Sequence, residues 1–286
     1  MPSNEQRRQA VKRKLDRQLA RRADRTKRRR WYAVIGSAVA IVLVIGLVVL
    51  ITVLGGDDET DQAAVLPSAQ PVPSSAIEPA LRAPAPTRPE PLPATVNCRY
   101  PGSGQPPAKP VQPPPAGETS TEGTVGVTLE TSTGTIPLTL DRSLAPCAVS
   151  SFVSLTEQGY YANTPCHRLT TSQGLQVLQC GDPRGTGRGG PGYRFADETY
   201  PDLSYGRGYL AMANSGPDTN GSQFFMVYGS AEALNANPDY TVFGTIAPQG
   251  LQVLDRVADA GSDDANAPGD GAPNTPVQIE AATVRQ

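Results

Sequence analysis

An uncharged apolar run, Trp31–Leu54, restricts the first part of this chain more than any other feature of the sequence. As an α-helix, which rises about 1.5 Å per residue, such a run is roughly 36 Å long and spans a bilayer with some tilt. A cleaved signal peptide is the competing interpretation, but its apolar core is only about 7–15 residues long and ends at a small-residue cleavage site. Because this run is longer and ends in Gly55-Gly56-Asp57-Asp58, we expect an uncleaved transmembrane helix over residues 31–54.

The charges on either side of the run predict its orientation. Residues 1–30 carry 13 lysines or arginines and three acidic residues, whereas the remaining chain has 12 basic and 24 acidic residues. Basic flanks stay on the cytoplasmic side of a membrane, so we expect a single-pass cell membrane protein with a cytoplasmic tail over residues 1–30. A tail that binds nucleic acid or anionic lipid is the alternative. Since its basic residues fall on all faces of a helix, we expect no nucleic-acid partner.

Residues 55–122 are rich in proline, alanine and serine, with 16 prolines between Pro67 and Pro115. Proline fixes φ and lacks the backbone donor that helices and central strands need. We therefore expect a disordered linker, extended by about 3.1 Å per residue where it is polyproline-like, that holds the next domain away from the membrane. A ligand for SH3-like modules is the alternative for any such run.

Alternating patterns replace the prolines from Thr124 onward. A hairpin is predicted over Thr124–Asp141, a helix over Leu144–Gly159 and a second helix over Gly250–Ala258. The remaining pattern predicts short strands at Cys166–Leu169, Gln176–Cys180, Gly208–Asn214, Gln223–Tyr228, Thr241–Ile246 and Val277–Val284. Many short strands with two helices indicate a mainly β domain over residues 123–286, an eight-stranded closed antiparallel β-barrel capped by two α-helices.

The four cysteines all follow the apolar run, on the side where disulfides persist. They allow two bridges in any of three pairings. Cys166 and Cys180 lie on neighbouring predicted strands and are one candidate pair. A bridge from Cys98, with Cys147 among its possible partners, would join the end of the linker to the domain. No Cys-x-x-Cys pair supports a metal site, and we expect no metal.

Two segments carry the chemistry, CHRL (Cys166–Leu169) and MANSGPDTNGSQFF (Met212–Phe225), with VLQCGD (Val177–Asp182) between them. In this order they resemble the cyclophilin family of peptidyl-prolyl cis-trans isomerases, over about Thr124 to Val284. The resemblance implies proline-containing polypeptide substrates and no cofactor. The composition is also typical of actinobacteria.

Rotation about an X–Pro bond is slow because resonance gives the C–N bond partial double-bond character, with a barrier of about 18–20 kcal/mol. Lowering this barrier requires a donor aimed at the prolyl nitrogen as it becomes pyramidal, and a pocket that holds the ring. A permanently charged, forked guanidinium suits this role. Arg168, at the His-Arg position of the family, is the catalytic candidate.

The resemblance implies supporting roles for ten further residues. Gln179 matches a glutamine that hydrogen-bonds the arginine and the substrate. The implied substrate-binding residues are Ala213, Asn214 and Ser215 on a backbone edge, Gln223, the pocket residues Val177, Phe225, Leu234 and Tyr240, and Gly185 beside a second groove.

Departures from the family concern the proline pocket. Extra residues precede Gln179, so the family's pocket phenylalanine falls on either Leu175 or Gln176. Ala233 replaces a tryptophan that contacts cyclosporin in many members, so we expect weak cyclosporin binding.

Other interpretations of these motifs have less support. Cys166 and His167 formally fit a nucleophile and its base, and Gly185–Gly190 formally fits G-x-G-x-x-G. No further motif supports a Cys–His nucleophile pair. A nucleotide-binding loop requires a helix directly after the glycines, and no helix can begin there. The leading function is an isomerase that helps exported or cell-envelope proteins to fold. The alternative is a non-catalytic chaperone or surface receptor that binds proline-containing segments.

Overall fold

The computed structural model describes residues 82–236 and 238–285. The predicted basic tail, the predicted transmembrane helix and the first part of the predicted linker lie outside these residues. Over the two described ranges, no helix combines the length and the apolar character needed to cross a membrane.

The described ranges contain short strands and three helices. The strands are β1 (Thr95–Cys98), β2 (Gly117–Ser120), β3 (Thr124–Thr131), β4 (Gly134–Asp141), β5 (Thr164–Pro165), β6 (Arg168–Ser172), β7 (Leu175–Cys180), β8 (Tyr209–Met212), β9 (Phe224–Val227), β10 (Val242–Ile246), β11 (Asp270–Gly271) and β12 (Gln278–Arg285). The helices are α1 (Pro146–Glu157), α2 (Glu232–Asn235) and α3 (Pro248–Asp259). A proline occupies the first turn of α1 and of α3, where its missing N–H costs nothing.

Ten strands form one curled antiparallel sheet in the order β11-β6-β7-β9-β8-β10-β4-β3-β12-β5. β5 pairs with β12 at one end of this order, whereas β6, two residues further along the chain, pairs with β7 near the other end. The chain segment from β5 to β6 therefore takes part in both ends of the sheet, so the two ends must lie close together and the sheet is curled. The prediction of a mainly β fold is confirmed, and the predicted Thr124–Asp141 hairpin is β3 and β4.

The core lies inside the curled sheet, under α1 and α3. Phe152 of α1 contacts Tyr161, Phe224 and Phe243, with ring centroids 4.8–5.3 Å apart. These rings are fully buried, and each buries a large apolar area. The core thus fixes β9, which also carries site residues, against the first long helix.

Residues 82–122 differ from the sequence expectation of a disordered linker, because they pack on the domain. β1 and β2 pair in an antiparallel ribbon, and Cys98 is bonded to Cys147 at the start of α1. Tyr100 is buried, with its ring edge-on to Tyr193 at 5.7 Å. The residues between the prolines supply the backbone donors that proline lacks, so the stretch is held without forming a long strand.

Both disulfides lie within the described residues. The candidate pair Cys166–Cys180 is confirmed, and the remaining two cysteines form Cys98–Cys147.

Candidate functional site

Three neighbouring strands place the main predicted site residues side by side. Arg168 on β6 is directly opposite Gln179 on β7, and Gln179 is directly opposite Phe225 on β9. Directly paired residues project from the same face of a sheet. Strand register therefore brings together an arginine, an amide and an aromatic ring that are far apart in the sequence.

The guanidinium of Arg168 is held on two sides. Its Nε and Nη2 donate to the two carboxylate oxygens of Asp270, at 2.8 and 2.7 Å, and its Nη1 lies 3.5 Å from Oε1 of Gln179. The hydrogen bonds with Asp270 raise the pKa of Arg168 and lower the pKa of Asp270. Arg168 is therefore charged at any physiological pH, in a fixed orientation.

Asp270 was not predicted as a site residue. It lies in β11, which pairs with β6, and it is 102 residues away from Arg168 in the chain. No motif surrounds it, so its role depends on a strand pairing that only the fold specifies.

Two glutamines continue the hydrogen bonding away from Arg168. Gln179 Nε2 donates to Gln223 Oε1 at 2.9 Å, and Gln223 Nε2 donates to the Gly189 carbonyl at 3.0 Å. The predicted residues Gln179 and Gln223 are thus brought together, and they connect Arg168 to the glycine-rich loop at residues 182–194.

Aromatic rings form the apolar side of the site. The rings of Phe225 and Tyr240 meet edge-on with centroids 5.5 Å apart, and Tyr205 lies 6.4 Å from Phe225 and 6.2 Å from Tyr240. Tyr205 also donates its hydroxyl hydrogen to the Tyr240 carbonyl at 2.8 Å. Burial raises the pKa of Tyr205, so its hydroxyl stays neutral. Tyr205 was not predicted, and it adds an aromatic wall that the sequence motif lacks.

Strand alternation separates the two candidates for the missing phenylalanine. Every second residue of β7 projects from the same face of the sheet. Leu175, Val177 and Gln179 therefore share one face, and Gln176 projects from the other. Gln176 Oε1 accepts a hydrogen bond from the Ser230 N–H at 2.8 Å on that other face. Leu175 is therefore the residue on the Arg168 side. Leu234, in α2, is half-buried against the core.

The predicted substrate edge is held by its own hydrogen bonds. The Ala213 N–H donates to the Gln223 carbonyl at 2.9 Å, and Asn214 Nδ2 donates to the Asp239 carbonyl at 2.9 Å. The Ser215 N–H donates to Thr219 Oγ1 at 2.8 Å. These contacts fix the loop without side-chain contact to Arg168.

Gly185 lies in the glycine-rich loop with φ of +66°, and a Cβ there would lie 2.8 Å from Pro165. Asp182 organises this loop, because its carboxylate accepts from the backbone of Arg184, Thr186 and Arg188 at 2.8–3.2 Å. Burial raises the pKa of Asp182, but the hydrogen bonds from the loop outweigh this effect and the pKa is lowered.

A cleft of about 350 Å³ lies beside the arginine, between the substrate edge and the glycine-rich loop. Of the predicted site residues, those that line it are Gln179, Ala213, Asn214, Ser215 and Gln223. Arg168 and the aromatic residues are beside this cleft, next to Gln179. Cys166 is bonded to Cys180 and is not a free nucleophile. Burial lowers the pKa of its neighbour His167.

The chain is similar to known proteins of one family. The family model described as "Cyclophilin type peptidyl-prolyl cis-trans isomerase/CLD" matches residues 126–284. A Mycobacterium leprae protein named "Probable peptidyl-prolyl cis-trans isomerase B" is 46% identical, over 98% of this chain and 99% of its own length. "Peptidyl-prolyl cis-trans isomerase A" of Mycobacterium tuberculosis is 38% identical, over 56% of this chain and 92% of its own. A cyclophilin-type isomerase structure from Cryptosporidium parvum is similar at a TM-score of 0.50 and 36% identity, covering 57% of this chain and 99% of that one.

Proposed function

This chain belongs to the cyclophilin-type peptidyl-prolyl cis-trans isomerase family, and we propose that it accelerates X–Pro bond rotation in exported or cell-envelope polypeptides. The observation that carries the proposal is the fixed, charged guanidinium of Arg168, which lies beside Gln179 on one side of an aromatic pocket. Its isomerase activity follows from the family.

Arg168 acts by stabilising the transition state. As the C–N bond twists, the prolyl nitrogen becomes pyramidal and gains a lone pair, and a donor aimed at that pair lowers the barrier. Asp270 holds the guanidinium, and Gln179 orients it from the other side. Because these groups are already in place, little reorganisation is needed when the substrate twists.

The pocket beside Arg168 holds the proline ring. Phe225, Tyr240 and Tyr205 supply aromatic faces, and Leu175 and Val177 supply the aliphatic side where the family has phenylalanine and methionine. Ala213, Asn214 and Ser215 offer backbone groups to the substrate, and Gln223 offers its amide. Ala233 removes a contact for cyclosporin, so binding of that inhibitor is weak.

We infer that the curled sheet closes into a barrel. If β5 and β6 count as one bent strand and the two-residue β11 is set aside, eight strands remain, which supports the eight-stranded closed barrel expected from the sequence. The Cys166 N–H donates to the Val277 carbonyl at 2.8 Å, between β5 and β6, which supports continuous pairing at that point.

The site faces the outside of the cell. We base this on the uncharged run at residues 31–54 and the basic tail before it, and two disulfides in the domain fit an oxidising compartment. Protease added to intact cells or spheroplasts should remove the domain from the membrane fraction. Full protection of the domain until the membrane is lysed would contradict this placement.

A protease-coupled assay on an Ala-Pro peptide tests the function. Arg168→Ala should lower kcat/KM by about 100-fold or more, as expected for loss of a donor to a developing lone pair. Arg256→Ala is the matched control, because Arg256 is exposed on α3, away from the site. Equal rates for the wild type and Arg168→Ala would contradict the mechanism, and cyclosporin added to the same assay tests the inhibitor prediction.

A further inference from the structure

The pocket residue Tyr240 is held in place by Tyr205. The Tyr205 hydroxyl donates to the Tyr240 carbonyl and accepts from the Tyr240 N–H, both at 2.8 Å. The backbone N–H of Tyr205 donates to Asn235 Oδ1 at 2.9 Å, at the end of α2. Tyr205 is buried, so water does not compete for these hydrogen bonds. Tyr205 therefore fixes the backbone at Tyr240 and at the end of α2.

Tyr205 belongs to a segment, residues 198–208, that contains neither helix nor strand. The segment leads into β8, and near its end the Gly208 N–H donates to the Val227 carbonyl at 2.8 Å. Such a segment lacks the ladder of hydrogen bonds that fixes the course of a strand. Its contacts with other parts of the chain therefore decide where Tyr205 lies.

Residues 82–93, called the strap below, contact this segment where it enters β8. The Ala83 N–H donates to the Arg207 carbonyl at 2.9 Å. The Tyr209 hydroxyl, at the start of β8, donates to the Pro84 carbonyl at 2.8 Å. These two hydrogen bonds join the strap to the chain directly after Tyr205.

The strap also contacts the beginning of the segment. Arg88 Nη2 donates to the Glu198 carbonyl at 2.8 Å, and Arg88 Nε donates to the Leu144 carbonyl at 2.8 Å. The guanidinium carbon of Arg88 lies 4.8 Å from the centroid of the Tyr200 ring, in cation–π geometry. The strap thus holds the segment that carries Tyr205 on both sides of this residue.

A glycine next to Tyr205 lets the strap approach closely. A Cβ added to Gly206 would overlap the Cβ of Ala83. Gly206 does not have a positive φ, so its backbone conformation is open to alanine. The missing side chain at Gly206 is therefore required by the strap, and not by the conformation of the segment.

The other end of the strap is fixed to the domain just before β1. The Thr121 hydroxyl donates to the Pro93 carbonyl at 2.6 Å, and the Thr121 N–H donates to the Ala94 carbonyl at 3.1 Å. Cys98, at the end of β1, is bonded to Cys147. The strap is thus held at both ends and does not hang from the segment alone.

We propose that the strap is a positioning element of the proline pocket and that it acts through Tyr205. The proposal rests on the proposed function, since the pocket is that of the isomerase. The strap sets how firmly Tyr240 holds the proline ring, whereas Arg168 is oriented separately by Asp270 and Gln179. Loss of the strap contacts should therefore weaken binding of the peptide and leave kcat nearly unchanged.

The close approach at Gly206 provides the test on the full-length chain. Gly206→Ala displaces the strap without changing a side chain of the pocket. It should raise both KM and Kd for an Ala-Pro peptide by about fivefold and change kcat by less than about twofold. Adding Ala83→Gly removes the overlapping methyl group, so the double variant should regain the wild-type KM and Kd. A distortion of Tyr205 by the new methyl group itself would not be relieved in this way.

A matched pair of tyrosine variants tests the strap without a steric clash. Tyr209→Phe removes the hydrogen bond to the Pro84 carbonyl and should raise KM by about threefold. Tyr100→Phe is the control, because its hydroxyl donates to the Cys147 carbonyl at 3.0 Å, outside the strap. This control should leave KM unchanged.

The backbone N–H of Tyr240 reports whether the effect passes through Tyr205. Hydrogen exchange of this amide, followed by NMR, should be about tenfold faster in Gly206→Ala and in Tyr205→Phe than in the wild type. Adding Ala83→Gly to Gly206→Ala should restore the slow exchange. In the Gly206→Ala, Tyr205→Phe double variant, KM should rise no further than in the more affected single variant.

Three results would overturn the proposal. The first is unchanged KM and Kd in both Gly206→Ala and Tyr209→Phe. The second is a raised KM in Gly206→Ala that Ala83→Gly does not lower. The third is a raised KM with unchanged exchange of the Tyr240 amide. Absence of turnover by the wild type contradicts the proposed function instead, and the Kd values and the amide exchange then still decide the role of the strap.

Discussion

The two walls of the cleft are held by different kinds of contact. The inner wall, Gln179 and Gln223 with Arg168 next to them, is held by hydrogen bonds between side chains. The outer wall is residues 99–112, called the arm below, which is joined to the domain mainly through backbone groups and a disulfide. Single side-chain changes should therefore disable the inner wall, whereas the arm should tolerate most of them and depend on its anchors.

The disulfides give the largest expected effect on stability. Cys98–Cys147 closes a sequence separation of 49 residues and Cys166–Cys180 one of 14. Loop-closure entropy predicts losses of about 4 and about 3 kcal/mol when each pair is replaced by serines. Chemical unfolding of the full-length chain, followed by near-ultraviolet circular dichroism, measures both.

The two disulfide variants should have the opposite order in their effect on catalysis: the pair whose loss costs less stability should cost more activity. Cys166 and Cys180 are close to Arg168 and Gln179 in the chain, so loss of their bond should lower kcat/KM for an Ala-Pro peptide by about tenfold. Loss of Cys98–Cys147 should lower it by less than about threefold. If loss of Cys98–Cys147 lowered kcat/KM as much as loss of Cys166–Cys180 or more, the proposed difference between the two walls would be wrong.

Glu198 gives the next effect, at the junction of the arm side and the domain. Its carboxylate accepts from the N–H groups of Cys147 and Ala148 at 3.0 and 2.8 Å, and Arg88 donates to its carbonyl at 2.8 Å. Burial raises the pKa of Glu198 to about 7, although these two N–H groups oppose the shift. The folded state binds the proton of Glu198 more tightly than the unfolded state does. The stabilisation of the fold by this bound proton is therefore complete below about pH 4.5 and is lost as the pH rises through 7.

The free energy of unfolding should therefore decrease by about 3 kcal/mol across that range because of Glu198. Glu198→Gln should flatten the profile between pH 4.5 and 7. The lowered pKa values of Asp182 and Asp270 act at lower pH and with the opposite sign. An unchanged slope in Glu198→Gln would show that this carboxyl titrates normally.

Asp270 gives a smaller effect, confined to the inner wall. Asp270→Ala frees one side of the guanidinium of Arg168 and should lower kcat by about tenfold with little change in KM, which is about 1.4 kcal/mol. Asp270→Glu should recover part of the loss. Steady-state kinetics decide the point, and a faster Asp270→Ala enzyme would mean that Asp270 restrains Arg168 instead.

The residues of the inner wall could be named from the sequence because they are identified by side-chain type in a fixed order, and the structure brings them together. Strand alternation then follows from the pattern, and it places Val177 and Gln179 on one face of β7. The structure adds Leu175 to that face, a choice that the extra residues before Gln179 left open.

The arm and two site residues were not predictable in the same way. Backbone hydrogen bonds leave no side-chain pattern, and so the proline-rich residues 82–122 looked like a linker throughout. Asp270 and Tyr205 reach the site through pairings between distant parts of the chain. Such contacts depend on tertiary structure, and local sequence carries no signal for them.

The central claim is that Arg168 catalyses rotation, beyond merely binding proline. The most direct measurement is two-dimensional exchange NMR on an Ala-Pro peptide with catalytic amounts of the full-length chain. We expect exchange peaks between the cis and trans forms with the wild type, and their loss with Arg168→Ala while the peptide still binds. Binding shifts without exchange peaks in the wild type would contradict the account and favour a binding module.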